Sequence, residues 1–221
     1  MCGIIGATGK KPDVKLLSKL VSLNLDRGGQ DGVGIWSNRQ GLRKGLNITL
    51  DKELAKRKKD KNFLIHLRWA TSGEVSARFC HPFRYKDIVF CHNGHIWNYK
   101  DWNLPMDSLA GLLFVVRNLQ GIEKLWGSYV FAWYNLDDLT FNILNHNGEI
   151  QFGWENKTLY FASEGINMVI EKAYGCPNNT KLTFNSETGG LVGVQNLEKL
   201  LQKQAKMWSN LSKTLEDISY V

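Results

Sequence analysis

The chain has 221 residues, 43% of them apolar, and its 28 basic and 21 acidic side chains leave a formal charge of +7. It is long enough for a sizeable core, has no run of eighteen uninterrupted apolar residues and therefore no membrane-spanning helix, and carries Lys10 and Lys11 after its first apolar run, where a secretory leader has its charges before it. Cys2, Cys80, Cys91 and Cys176 are scattered without a CxxC pair, which suits reduced thiols in a cytoplasmic protein better than a disulfide framework.

The chain opens Met1-Cys2-Gly3-Ile4-Ile5-Gly6. Once Met1 is removed, Cys2 carries a thiol beside a free α-amine, so one residue holds both a nucleophile and a base. The plain alternative is a small hydrophobe in a first strand. Gly3 to Thr8 reads as that strand, buried. Asp13 to Asp26 predicts a helix capped by Asp13, with Val14, Leu16, Leu17, Leu20, Val21, Leu23 and Leu25 at helical spacing. Arg27 to Gly34 is a glycine-rich turn, without phosphate-loop spacing, that leads into a strand through Trp36. Arg43 to Leu50 predicts another strand. Lys52 to Lys61 holds Lys52, Lys56, Arg57, Lys58, Lys59 and Lys61 against Glu53 and Asp60. It reads as a solvated helix face or loop; nucleic acid or an acidic partner is the alternative, disfavoured because no aromatic residue interleaves.

Asn62 to Trp69 predicts a buried strand, followed by a polar loop with Cys80-His81-Pro82-Phe83. Asp87 to Cys91 predicts a strand closed by a turn at His92-Asn93-Gly94. Asp107 to Leu119 reads as a helix capped by Asp107, with Leu109, Leu112, Leu113 and Val116 on its apolar face. Gly127 to Tyr134, Thr140 to Leu144, Ile150 to Trp154 and Thr158 to Phe161 predict four strands. Gly165 to Ala173 predicts a helix, Lys181 to Phe184 with Gly190 to Val194 a hairpin, and Asn196 to Leu215 a lysine-rich amphipathic helix. Helices between and after many antiparallel strands mean an α+β protein with two sheets, each covered by helices. No linker interrupts it, so residues 1–221 read as one domain, with 196–221 a C-terminal amphipathic helix.

Three separated stretches supply chemistry that a nucleophilic Cys2 needs. Arg68, at a strand end, can grip a carboxylate bidentately. Asn93 and Gly94 offer a side-chain amide and a backbone N–H as oxyanion donors. Asp107 offers a carboxylate to an ammonium group. Singly each has a dull explanation, as ion pair, turn and helix cap; jointly they describe a site for an α-amino acid with a side-chain amide.

Met1 to Gly6, Arg27-Gly28 with Asp31, His66-Leu67-Arg68-Trp69-Ala70-Thr71, His81-Pro82, and His92-Asn93-Gly94 with Asn98-Tyr99 resemble the class II glutamine amidotransferases, in particular the glutaminase domain of glucosamine-6-phosphate synthase. Phe161-Ala162-Ser163-Glu164 is similar to that domain's late strand. The resemblance covers roughly residues 1 to 175 and implies the amino-terminal nucleophile hydrolase fold, a four-layer αββα sandwich. It implies Cys2 as nucleophile with its α-amine as base through a water, and Asn93 and Gly94 as the oxyanion hole. Arg68 would hold the glutamine α-carboxylate and Asp107 its α-ammonium. Trp69 and Thr71 would line the pocket, and Arg27 would sit near the nucleophile, outside its direct contacts.

The sequence departs from this pattern at three places. Ser72 stands where the family often has His, which predicts altered pocket contacts; the Arg27 to Gly34 turn is one residue longer; His95 replaces an apolar residue. Cys80-His81 and Cys91-His92 with His95 do not match a zinc spacing, and neither metal nor cofactor is expected. The expected function is hydrolysis of L-glutamine through a Cys2 thioester. Its ammonia would go to a separate synthase or nucleotide-modifying subunit, since the chain stops where a synthase domain would begin. The rivals are hydrolysis of another amide and a non-catalytic binding module that keeps the fold.

Overall fold

The computed structural model describes residues 2–201. In chain order its elements are β1 (Gly3–Gly9), α1 (Val14–Leu23), β2 (Val33–Ser37), β3 (Gly41–Gly45), α2 (Leu50–Lys56), β4 (Asn62–Leu67), β5 (Phe83–Tyr85), β6 (Ile88–Ile96) and α3 (Asp107–Val116). They continue with β7 (Gly127–Asn135), β8 (Thr140–His146), β9 (Gln151–Glu155), β10 (Thr158–Ala162), β11 (Ala173–Gly175), β12 (Thr180–Asn185) and β13 (Leu191–Asn196). The strands make two antiparallel sheets, in the orders β11-β9-β10-β1-β4-β2-β3 and β13-β12-β8-β7-β6-β5.

Period-two alternation separates the layers. Ile5, Phe63 and Ile65 point to one side of the first sheet and pack against Leu17, Leu20 and Val21 of α1 and Leu50 and Leu54 of α2. Ile4, Leu64 and Phe161 point to the other side and meet Val89, Cys91, Val130 and Ile143 between the sheets. Phe90, Phe131 and Leu144 turn away from that interface onto Ala110, Phe114 and Val115 of α3. The result is four layers, αββα. Covering both faces explains why β1 and β4 are buried at every position. Gly6 has a packing reason: a Cβ there would lie 2.1 Å from Phe161 Cζ.

Several sequence expectations need correction. The strand expected over Arg43 to Leu50 is β3, Gly41–Gly45, and Leu50 instead starts α2 behind Thr49, its N-cap. The first helix does carry the Asp13 cap, whose side chain accepts from Lys15 N, but it stops at Leu23. The basic run is not uniformly solvated: Arg57 is 3% exposed and ion-pairs with buried Glu53, whose carboxyl is held below its ordinary range by hydrogen bonds from Lys56 and Arg57. The loop at Phe79 to Phe83 is buried, not polar surface, at Phe79, Cys80, His81 and Phe83. His92-Asn93-Gly94 is no turn; it lies inside β6, paired in register with β7, because nine cross-strand pairs outweigh a local Asn-Gly preference. Asp107 is the first residue of α3 and not its cap, which is Met106. Val116 is 38% exposed, so the buried face of α3 is centred on Gly111, Phe114 and Val115. Gly165 to Ala173 forms a short 3-10 turn, Ile166–Met168, and the start of β11. Asn196 ends β13, residues 198–201 are helical, and the rest of the expected Asn196 to Leu215 helix lies outside the described residues.

Candidate active site

Strand registers bring the chain's separated motifs to one end of the first sheet. Gly3 pairs with Leu67, and Val33 pairs with Leu67 from the other side. Cys2, Arg68 and the turn before β2 therefore converge. Trp69 N donates to Cys2 Sγ at 3.2 Å, and the thiol lies 3.2 Å from the Trp69 carbonyl. The segment after β4 is pinned by that turn: Gly29 N donates to Arg68 O at 2.8 Å, Arg68 N to Gly32 O at 2.8 Å, and Ala70 N to Asp31 Oδ2 at 2.8 Å.

The second sheet closes the site from behind. Asn93 Nδ2, in β6, donates to Cys2 O at 2.8 Å and to Ser163 Oγ at 2.7 Å. Ser163 Oγ also accepts from Ile4 N at 2.9 Å, tying the first strand, the late strand and β6 into one bonded cluster. Arg27 Nε donates to Cys2 O at 3.3 Å, and its guanidinium pairs with Glu164 at 3.0 Å.

Cys2, Arg68, Trp69, Thr71, Gly94 and Asp107 line one cleft, together with Ser72, His81, His92 and Ser108. Its cavity volume is about 20 Å³, room for about one water. The indole of Trp69 stands at 47% exposure. Asp107 is 3% exposed: its Oδ1 accepts from Ser72 Oγ at 2.6 Å, and its Oδ2 accepts from Ile96 N at 3.3 Å and lies 3.6 Å from His95 Nδ1. Arg68 is 2% exposed and donates to Glu74 O at 2.9 Å and Ser72 O at 3.1 Å, so its guanidinium shapes the loop over residues 69–74 as well as the cleft wall.

Burial pushes the Cys2 thiol up, opposed by the Trp69 backbone hydrogen bond and the Arg68 charge, so the thiol needs a base before it can attack. Three imidazoles lie beneath the cleft. His66 Nε2 is 3.1 Å from His92 O, the His81 ring lies tilted against His66 with centroids 4.1 Å apart, and His92 Nδ1 is 2.9 Å from Ser108 Oγ. Burial drops His66 to about 3 and also lowers His81 and His92, so all three are neutral. Among the described residues no group of three or more His, Cys, Asp or Glu is arranged to hold a metal, and no helix is long and apolar enough to cross a membrane.

Of the residues expected from sequence, the cleft gathers Cys2, Arg68, Trp69, Thr71, Gly94 and Asp107, while Asn93 and Arg27 lie behind Cys2 on its carbonyl. Sequence reasoning assigned no role to Ser163, Asp31 or Ser108. Ser163 and Asp31 stand inside motifs that were recognised; Ser108 carries no signal beyond its place beside Asp107. At Ser72, where the sequence departs from the family pattern, the hydroxyl donates to Asp107 Oδ1.

No protein-family model matches the chain. It is similar to glutamine–fructose-6-phosphate aminotransferase (isomerizing) of Lactiplantibacillus plantarum, 37% identical over 231 aligned positions that cover 93% of this chain and 38% of that protein. The protein of the same name in Sulfolobus acidocaldarius is 35% identical over 123 positions, covering 50% of this chain and 20% of its own. The chain thus spans about two fifths or less of the length of these curated relatives. Among solved structures it resembles the glutamine phosphoribosylpyrophosphate amidotransferase of B. subtilis complexed with ADP and GMP, with a TM-score of 0.66 at 18% identity, covering 88% of this chain and 49% of that one. A glutamine aminotransferase class-II domain protein from Silicibacter pomeroyi matches with a TM-score of 0.55 at 13% identity, over 87% of this chain and 97% of that one.

Proposed function

We propose that this chain, which belongs to the class II glutamine amidotransferase family, hydrolyses the side-chain amide of L-glutamine to glutamate and ammonia. Its four-layer sandwich is the amino-terminal nucleophile hydrolase fold. The observation that carries the proposal is the placement of Cys2 Sγ against the Trp69 backbone, in a cleft whose wall includes the buried carboxylate of Asp107 and the Arg68 guanidinium. An amide carbon delivered to that sulfur brings an amino acid's charged end between groups of opposite sign.

In this reading Met1 is removed and the freed α-amine of Cys2 takes the thiol proton, through a water. Sulfur attacks the amide carbon, a C–S bond forms, and the tetrahedral oxyanion is held by Asn93 Nδ2 and Gly94 N–H. Asn93 Nδ2, which donates to Cys2 O and Ser163 Oγ, shifts one of those bonds to the oxyanion. The C–N bond breaks, and the α-ammonium returns its proton to the leaving ammonia. Water then attacks the thioester, the C–S bond breaks, and glutamate leaves with the thiol restored. Arg68 takes the glutamine α-carboxylate, Asp107 its α-ammonium, and Trp69 and Thr71 wall the pocket. The cleft of about 20 Å³ opens by movement of the loop carrying Trp69 to admit the substrate. The ammonia serves an acceptor on a separate synthase or nucleotide-modifying subunit.

Purified protein incubated with glutamine should release glutamate and ammonia in equal amounts, with an intact mass that begins at Cys2. Cys2→Ala should abolish release. An active preparation that keeps Met1, or an active Cys2→Ala variant, would refute the mechanism.

A further inference from the structure

His95 follows Gly94 in β6 and faces α3. Its Nδ1 lies 3.6 Å from Asp107 Oδ2, with the imidazole 40% exposed and the carboxylate 4% exposed. The other contacts of that carboxylate are neutral donors: Ser72 Oγ and Ser108 Oγ on Oδ1, and Ile96 N on Oδ2. Near-complete burial makes the charge of Asp107 valuable to any cation that reaches it, because little water competes. A protonated imidazole is such a cation, and here it belongs to the protein.

We infer that His95 is a specificity-determining residue of this cleft: its protonated ring competes with the α-ammonium of the substrate for Asp107. The inference rests on the glutamine reading above. Half-exposure lets the ring swing to water when the substrate's ammonium arrives, so the competitor can be displaced. A neutral ring exerts no such competition. Glutamine capture is therefore weaker while the ring carries a proton than while it is neutral. From α3 comes Asp107, which attracts the proton; along β6 lies His92, kept neutral by burial; across the pairing on β7 stands Ser128, without charge. The acting pair is thus His95 and Asp107. Competition acts on the amino-acid end of the substrate and not at Cys2, so it enters KM and leaves kcat nearly untouched.

The experiment is steady-state glutamine hydrolysis between pH 5.5 and pH 8 by the wild-type chain, His95→Leu and His95→Lys. Wild-type KM should rise roughly three- to tenfold at the acid end, the scale of a partly solvated ion pair. His95→Leu should lose that rise. His95→Lys, charged throughout, should show the raised KM even at pH 8. Inhibition by glutaramate, which has the side-chain amide and a carboxylate but no ammonium, should not weaken in His95→Lys. Glutamine hydrolysis with the same KM profile in wild type and His95→Leu, or a normal KM for His95→Lys at pH 8, overturns this inference and leaves the glutaminase reading intact. Absence of glutamate release from the wild type and every variant overturns the glutaminase reading and His95's part in it together.

Discussion

Replacing Ser163 by alanine tests whether the bonded cluster behind Cys2 holds the site together. Ser163 is 2% exposed, and its Oγ accepts from Ile4 N at 2.9 Å and from Asn93 Nδ2 at 2.7 Å. Alanine removes the acceptor and leaves two buried donors facing a methyl group. A buried donor without a partner costs about 1–3 kcal/mol. The space vacated by one hydroxyl is near the lower limit for a water, so hydration offsets little of this. The Asn93 amide keeps its 2.8 Å bond to Cys2 O and can rotate, which places the expectation in the lower half of the sum, about 2–4 kcal/mol. With a denaturant slope of about 2 kcal/mol/M in urea, the unfolding midpoint should fall by about 1–2 M. Because Asn93 is a proposed oxyanion donor, kcat for glutamine should fall with it, roughly tenfold for each 1.4 kcal/mol of lost aim. A double-mutant cycle with Asn93→Ala should give a coupling of about 0.5–3 kcal/mol. A midpoint within about 0.3 M of wild type, with unchanged kcat and no coupling, would show that Ser163 is a bystander.

Acid lability should follow from the buried imidazoles. His66, at about 3, and His81 and His92, also lowered by burial, stay neutral in the fold, whereas in the unfolded chain each takes a proton below about 6.5. The unfolded state then binds more protons, so this stability is complete above the unfolded value and is lost as pH falls toward the folded one. His66 alone amounts to about 1.4 kcal/mol between pH 7.5 and pH 5.5, with His81 and His92 adding in the same direction, measurable as a drop in the urea midpoint that His81→Phe should reduce. A flat midpoint over that range would mean that these rings accept protons inside the fold. Gly94→Ala should be damaging for a different reason: φ is +111°, and the added Cβ would lie 2.1 Å from Ser128 O in the facing strand. The β6–β7 pairing must spread, at more than about 2 kcal/mol. A thermal melt and glutamate release both equal to wild type would refute that geometry.

Much of the layer structure was legible in the sequence. Ile4-Ile5 and Phe63-Leu64-Ile65 are continuous apolar runs because these strands are covered on both faces, and such a run is a local property of the chain that reads as a buried strand. The Asp13 cap was legible for the same reason, since its bond to Lys15 N spans two residues. His92-Asn93-Gly94 misled because its local chemistry favours a turn, while pairing with β7 holds it extended. Gly165 to Ala173 misled in a similar way: its apolar residues suit a helix, but Ala173–Gly175 pairs with β9.

By itself, then, the amino-acid order determined most of the strands, the order of the motifs and the kinds of side chain available for chemistry. Which of them meet was decided by tertiary structure alone. The Cys2 thiol is fixed by a residue 67 positions away, its carbonyl by Asn93 at 91, and the N–H of Ile4 by Ser163 at 159. Contacts of that separation depend on strand register and sheet packing, where a one-residue slip would turn every side chain to the opposite face. The same packing set the protonation of the site. A histidine or cysteine in the sequence has its ordinary affinity for a proton, and it is burial in the fold that lowers that affinity at His66, His81 and His92 and raises it at the Cys2 thiol.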